Sequence, residues 1–268
     1  MKALDREIGA LHGRYWDSEQ QAARGKQVLL VEGDDDRDVV EAILRQRRTT
    51  WETRVRVVVA GGRTRVRERA DFFPHAQLLV DRDTWTDDEI PRADNLHVTA
   101  GWCLENLFLA PEFLHTIDPR IAATVAASRD SWVRAGALWW TLQRTIEAQQ
   151  RWKTILGGTY GALHQSLDLQ SAATLRDTLA ARIPEHIRVA ASLDLDLLAA
   201  TFEARLQQIL ALPESRQWQL GVHGKEAFRH LLHPALQQAH GRRNWRVELA
   251  SRLDRPPPFD TLLPLLLL

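Results

Sequence analysis

A single cysteine, Cys103, stands in 268 residues. No disulfide can close within the chain, and no zinc ribbon or other site built on paired cysteines is available. That economy fits a reducing cytoplasm, which is the expected location. The chain also lacks an excess of charge: 35 Lys and Arg balance 35 Asp and Glu. Overall charge therefore announces no nucleic-acid binder, and any attraction to polyanions has to be local. The first residues, MKALDREIGALHGRYW, lack the apolar core of a signal peptide. The apolar run at the C-terminus, LLPLLLL, is far shorter than the ~20 residues of a membrane span. It is expected to pack on the body of the protein or on a partner. No GxxxxGK[ST] phosphate loop occurs, and Gly61-Gly62 does not form one, so an ATP-dependent step would need another protein.

What is present is the composition of a globular protein, 44% hydrophobic and 26% charged, long enough for one large domain or two small ones. Residues 4–24 read as an amphipathic helix. Four strand-like runs follow, Val28–Val31, Val55–Gly62, Ala76–Asp81 and Asn95–Thr99, with helical patterns at Val39–Leu44 and Arg65–Phe73 between the earlier ones. Short apolar strands alternating with helices imply a mostly parallel sheet covered on both faces, an α/β fold. After about Gly101 strand signals become rare. Helical patterns fill 103–150, roughly 171–181, 194–211, 225–240 and 245–253, and DRPPPFD breaks the pattern before the tail. The expected organisation is an N-terminal helix (1–25), an α/β domain (26–110) and a helical region (111–268) that could complete a site begun in the sheet.

The stretch VLLVEGDDDRDVVEAIL, 28–44, crowds Glu32, Asp34, Asp35 and Asp36 at the end of an apolar strand. Burying such charges costs several kcal/mol each unless something compensates. Sites in parallel sheets form at the carboxyl ends of strands. Glu32 ends the first strand run and Asp81 the third, in LLVDRDTW. On an extended chain Asp81 and Asp83 would point the same way. Asp36 falls at a helix start, where the dipole favours a carboxylate. Glu32, Asp36, Asp81 and Asp83 can thus converge, and an oxygen-only set suits Mg²⁺ or Mn²⁺ rather than zinc. A solvated helix cap explains the EGDDD turn alone, and an isolated DxD is often structural. Both together at strand ends favour a metal. Asp34 and Asp35 are expected to face water, although Asp35 could reach the ion through a bridging water.

These motifs resemble the Toprim fold of topoisomerases, primases and related nucleases, with a glutamate after the first strand and Asp-x-Asp after the third. The Glu-Gly-x-x-Asp spacing, Glu32 to Asp36, is similar to OLD-family (overcoming lysogenisation defect) nucleases and their stand-alone Toprim relatives. GWCLENLFL, 101–109, resembles the Glu-Asn-Tyr-Leu segment of that group, with Leu107 where tyrosine is usual, and GVHGKEAF, 221–228, resembles its Gly-Lys motif. The resemblance implies a nuclease that cuts DNA or RNA (tRNA included) with two Mg²⁺ or Mn²⁺ ions, serving in phage defence beside a partner ATPase. Glu32, Asp81 and Asp83 would hold one ion with Asp36 near it. Glu105 would help hold a second, about 3.5–4 Å away in two-metal sites. Lys225 would neutralise charge on the scissile phosphate. Self-association is compatible with this reading.

Arginines crowd residues 45–69, and Arg63, Arg65 and Arg67 are candidate contacts to a phosphate backbone. Trp132, Trp139, Trp140 and Trp152 cluster in the helical half, where helix packing is their commoner fate and base stacking the alternative. His230 and His233 lack a third ligand and read as structural or surface residues. Two other functions compete. A non-catalytic subunit could dock on an ATPase. A haloacid-dehalogenase-like phosphatase also needs an aspartate pair after a strand, but Trp85 occupies its threonine position and GDDDRD precedes the DxD instead of following it. With only Tyr15 and Tyr160 there is little sign of a topoisomerase's nucleophile domain, and one cysteine rules out the zinc module of a bacterial-type primase unless another chain supplies it.

Overall fold

The computed structural model describes residues 15–73, 75–145 and 169–267. Residues 1–14 of the expected N-terminal helix, residues 146–150 of the helical stretch after 103, Trp152 and Tyr160 lie outside them. Residues 15–22 are helical. There follow β1 (Gln27–Val31), α1 (Asp34–Arg47), β2 (Val55–Val59), α2 (Arg63–Ala70), β3 (Gln77–Val80) and β4 (Leu96–Val98). A 3-10 segment, Leu104–Leu109, leads to α3 (Pro111–Ile117), α4 (Pro119–Thr145), α5 (Ala172–Arg182), α6 (Glu185–Ala190) and α7 (Leu195–Leu210). Next come α8 (Glu214–Leu220), α9 (Gly224–Ala227), a π-helical turn at Phe228–Leu232, α10 (His233–His240), α11 (Trp245–Ala250) and α12 (Phe259–Leu267).

The described residues fall into two compact units. One holds those up to Asp81, Asp87–Ala100 and everything from Asn244 onward; the other holds Arg82–Thr86 and Gly101–Arg243.

The first unit is an α/β sheet. Four parallel strands lie in the order β2-β1-β3-β4. Leu29, Leu30 and Val31 of β1 are wholly buried, as expected of a central strand covered on both faces. Val39, Val40, Ile43 and Leu44 of α1 are buried as well, their spacing giving one apolar helix face. After β2 the chain turns through Gly61 and Gly62, both at positive φ (91° and 123°), a region that side chains avoid. Both glycine amides donate to the Glu32 carbonyl, at 2.9 and 2.8 Å, tying the end of β2 to the end of β1. α11 packs on α1, and Arg246 donates to Asp35 at 2.7 Å. The apolar tail forms α12, which buries Phe259, Leu262, Leu263 and Leu266 and packs against β1.

The second unit is helical. α4 packs on α3 and α7, and α7 packs on α5. α4 approaches the turn after α8 so closely that a Cβ on Gly136 would lie 1.9 Å from the Gly221 carbonyl oxygen. The units do not divide at residue 110. Residues 101–110 belong with the helices because Trp102 donates to Gln219 and Asn106 to Trp218 and Val222. The C-terminal residues join the sheet through α11 and α12.

Candidate functional site

In the order β2-β1-β3-β4 the chain leaves β1 toward β2 and leaves β3 toward β4, in opposite directions. In open parallel sheets the crevice at such a switch point is where ligands bind, outside the carboxyl ends of the two strands. Glu32 directly follows β1 and Asp81 directly follows β3. The Asp81 amide donates to Glu32 Oε1 at 2.9 Å. Two carboxylate residues separated by 49 positions are thus fixed together at the switch point, as the strand-end pattern led one to expect.

Asp36 is 3% exposed and occupies the third position of α1. Its Oδ2 accepts from the Gly33 amide at 2.9 Å, closing the helix start. The capping role weighed for this turn is therefore carried by Asp36. Asp34 is exposed and pairs with Arg37 at 2.8 Å. Asp35, expected to face water, is partly exposed and accepts from Arg246.

Asp83 departs from expectation. β3 ends at Val80, and Asp83 has φ of 50°, in the left-handed region. Its amide donates to the Trp102 carbonyl at 2.9 Å. The alternation that would aim Asp81 and Asp83 alike holds only along an extended strand, and the backbone abandons that geometry here. Aspartate tolerates this conformation better than most side chains.

In the second unit the two downstream motifs meet. Glu105 is fully buried in the 3-10 segment. Its neighbour Asn106, 2% exposed, bridges three backbone groups. Its Oδ1 accepts from the Cys103 amide at 2.9 Å, while Nδ2 donates to the carbonyls of Trp218 at 2.7 Å and Val222 at 2.9 Å. A Cβ on Gly224 would lie 2.4 Å from Asn106 Oδ1, so the glycine of GKEAF is required by the asparagine of LENLFL. Lys225 follows at the second position of α9, a helix of one turn. Sequence reasoning picked out Glu105 and missed Asn106. The available signal was an amide inside an apolar segment, since a buried amide must find several partners.

The strand-end donors of the first unit are all oxygens, which suits a hard divalent cation. Among the described residues no three His, Cys, Asp or Glu side chains are arranged to hold a metal on their own. Mg²⁺ commonly keeps several waters and takes one or two carboxylates, the substrate's phosphates completing its shell. Glu32 and Asp81, which directly follow β1 and β3, are the residues of the first unit that could hold an ion in that mode.

The other candidates are placed as follows. On α2, Arg63 and Arg67 are four residues apart and share a face, whereas Arg65 points elsewhere, so the three form no single stripe. Arg65 and Arg67 are exposed, and Arg69 stacks over Trp16 at 4.5 Å. Trp132 and Trp139 are buried, Trp140 half-buried. His230 lies 3.3 Å from Glu226, and His233 contacts Gln237 at 3.2 Å. No described helix is long and apolar enough to cross a membrane. No protein-family model matches the chain, and no curated protein matches it significantly.

Proposed function

We propose that the chain is a Toprim-like, metal-dependent phosphodiesterase that cleaves DNA or RNA. The observation that supports this most is the Glu32–Asp81 contact at the β1/β3 switch point of an all-parallel sheet. Ligands of parallel sheets bind outside the carboxyl ends of the strands, and carboxylates brought there cost stability unless a cation offsets their charge. In this reading Glu32 and Asp81 hold Mg²⁺ or Mn²⁺, which when bound polarises a phosphate and lowers the pKa of water. Asp36 holds the first turn of α1, one oxygen accepting from the Gly33 amide, and its place near the ion rests on the motif. Asp83 and Glu105 are further oxygen ligands, Glu105 for a second ion, and Lys225 neutralises charge on the scissile phosphate. Those three belong to the second unit, and their roles rest on the motifs. The proposal extends to phage defence under the control of a partner ATPase, on the same resemblance.

The test is cleavage of supercoiled plasmid and of total tRNA with Mg²⁺ or Mn²⁺ and with chelator, with and without an ATPase encoded beside the chain. Metal-dependent cutting that disappears in Glu32→Ala and Asp81→Ala supports the reading and names the polymer. Cutting that survives both substitutions, or no cutting under any of these conditions, overturns it.

A further inference from the structure

The turn that ends α2 carries an aromatic step on the first unit. Phe72 stacks on Trp16, the ring centres 6.1 Å apart and the planes 17° from parallel. Trp16 is 4% exposed and is packed by Phe73 as well, at 6.2 Å and 66°. Phe72 is fixed at its backbone too. Its amide donates to the Arg69 carbonyl at 3.0 Å, and its carbonyl accepts from the Gln20 side chain at 2.8 Å. The Arg69 guanidinium lies 4.5 Å from the centre of the Trp16 ring and 5.6 Å from that of Phe72, a cation–π contact with both. Phe72 nevertheless stays 41% exposed, and Tyr15, edge-on to Trp16 at 5.0 Å, stays 44% exposed. A ring seated on a buried ring, with its remaining surface in water, is the form of a stacking platform for bases.

A row of positive charge leads from the strand ends to this step. Arg65 and Arg69 are four residues apart on α2 and share a face, and Phe72 follows three residues later. Arg65 is exposed, and its Nη1 would lie 3.2 Å from a Cβ placed on Gly61. The Gly61 amide donates to the Glu32 carbonyl, so the row begins beside the carboxyl end of β1. Over residues 63–72 four arginines stand against two acids, Glu68 and Asp71, a local balance that suits a polyanion. We propose that Phe72, backed by Trp16, stacks an unpaired base of the nucleic-acid substrate, with Arg65 on a neighbouring phosphate. This rests on the nuclease reading in taking nucleic acid as the ligand, and it names a single strand as the substrate class. Within a duplex both faces of a base are covered by its neighbours, whereas an unpaired base offers a face to an aromatic side chain whatever its sequence.

The probe is a fluorescein-labelled oligo(dT) 20-mer, compared with a labelled duplex of the same length, binding being followed by anisotropy in EDTA across a salt series. Chelation removes any cleavage from the readout, and melting temperature is the folding control. Phe72→Leu keeps an apolar side chain on Trp16 but loses the ring face. It should weaken oligo(dT) binding by about fivefold or more, leave the slope of log affinity against log salt unchanged, and bind the duplex as wild type does. Phe72→Tyr keeps the ring and should bind oligo(dT) like wild type. Arg65→Gln should instead lower the slope by about 0.7, the loss of one phosphate contact on a single strand. Wild-type binding of oligo(dT) by a folded Phe72→Leu, an equal loss on the duplex, or a wild-type slope in Arg65→Gln overturns the proposal, as does failure of the wild type to bind oligo(dT). If plasmid or tRNA is cut but Phe72→Leu binds the strand like wild type, this step is wrong and the nuclease stands. If nothing is cut yet Phe72→Leu loses the strand alone, the step stands and the nuclease reading falls.

Discussion

Replacing Gly224 by alanine tests the contact that joins the two downstream motifs. The new methyl would lie 2.4 Å from Asn106 Oδ1, 2.7 Å from the Asn106 backbone nitrogen and 2.8 Å from its Cγ. Carbon does not approach that closely, and a backbone atom cannot rotate aside, so Asn106 and its segment must shift. The side chain would then stretch or lose its bonds to Cys103, Trp218 and Val222. Each such bond contributes about 1 kcal/mol net, and a buried group left unsatisfied costs about 1–3 kcal/mol. Alanine regains up to ~1 kcal/mol of helix propensity at the start of α9. The expected net loss is about 2–4 kcal/mol, a large share of the ~5–15 kcal/mol that holds a domain together. Urea unfolding should show it as a lower midpoint with little change in slope. In a double-mutant cycle, Asn106→Ala with Gly224→Ala should lose less than the sum of the single changes, because the methyl no longer meets the side chain. A Gly224→Ala protein within ~0.5 kcal/mol of wild type, or an additive cycle, would refute the packing argument.

Gly136→Ala should be worse still, since its Cβ would sit 1.9 Å from the Gly221 carbonyl; a soluble variant melting with the wild type would contradict this. Asp118 accepts from the side chain and the amide of Arg120 and faces His240 at 3.1 Å. The Arg120 guanidinium, then its amide, hold the Asp118 carboxyl at about 2 against an ordinary 3.8. A lowered folded pKa means that the stabilisation is full above the ordinary value and fades as pH falls from about 4 toward 2. Asp118→Asn should therefore flatten the fall in melting temperature across that window, and an unchanged profile would count against it. Glu32→Gln keeps an oxygen to accept from the Asp81 amide but removes a charge from the strand ends. Its metal-free melting temperature should match or exceed that of wild type while metal-dependent cutting disappears, and a marked loss of stability would assign Glu32 a structural role instead.

β1, β2 and β3 were legible because each is a short apolar run ended by glycine or acids, and a parallel sheet buried on both faces requires such runs. Glu32 and Asp81 were legible for the same reason: each directly follows a strand. Their adjacency needed β1 and β3 to be neighbours, which no local pattern encodes. The backbone geometry at Asp83 was not legible, because it was inferred from an extended chain whereas the backbone turns left-handed three residues past Val80. Asn106 and Gly224 are more than a hundred residues apart, and their dependence on each other exists only once the segments touch. The contiguous arginine run at 45–69 drew the eye, yet helix geometry spreads Arg63, Arg65 and Arg67 around α2.

The claim at the centre is that the strand-end carboxylates hold a divalent cation. Calorimetric titration of Mn²⁺ into the protein, repeated with a phosphorothioate oligonucleotide present, tests it most directly. Saturable binding in the wild type should be lost in folded Glu32→Ala and Asp81→Ala. At a hundred times its dissociation constant the ion should add about 2.7 kcal/mol to wild-type stability. Equal binding by all three proteins, or no binding by the wild type in either condition, would contradict the account.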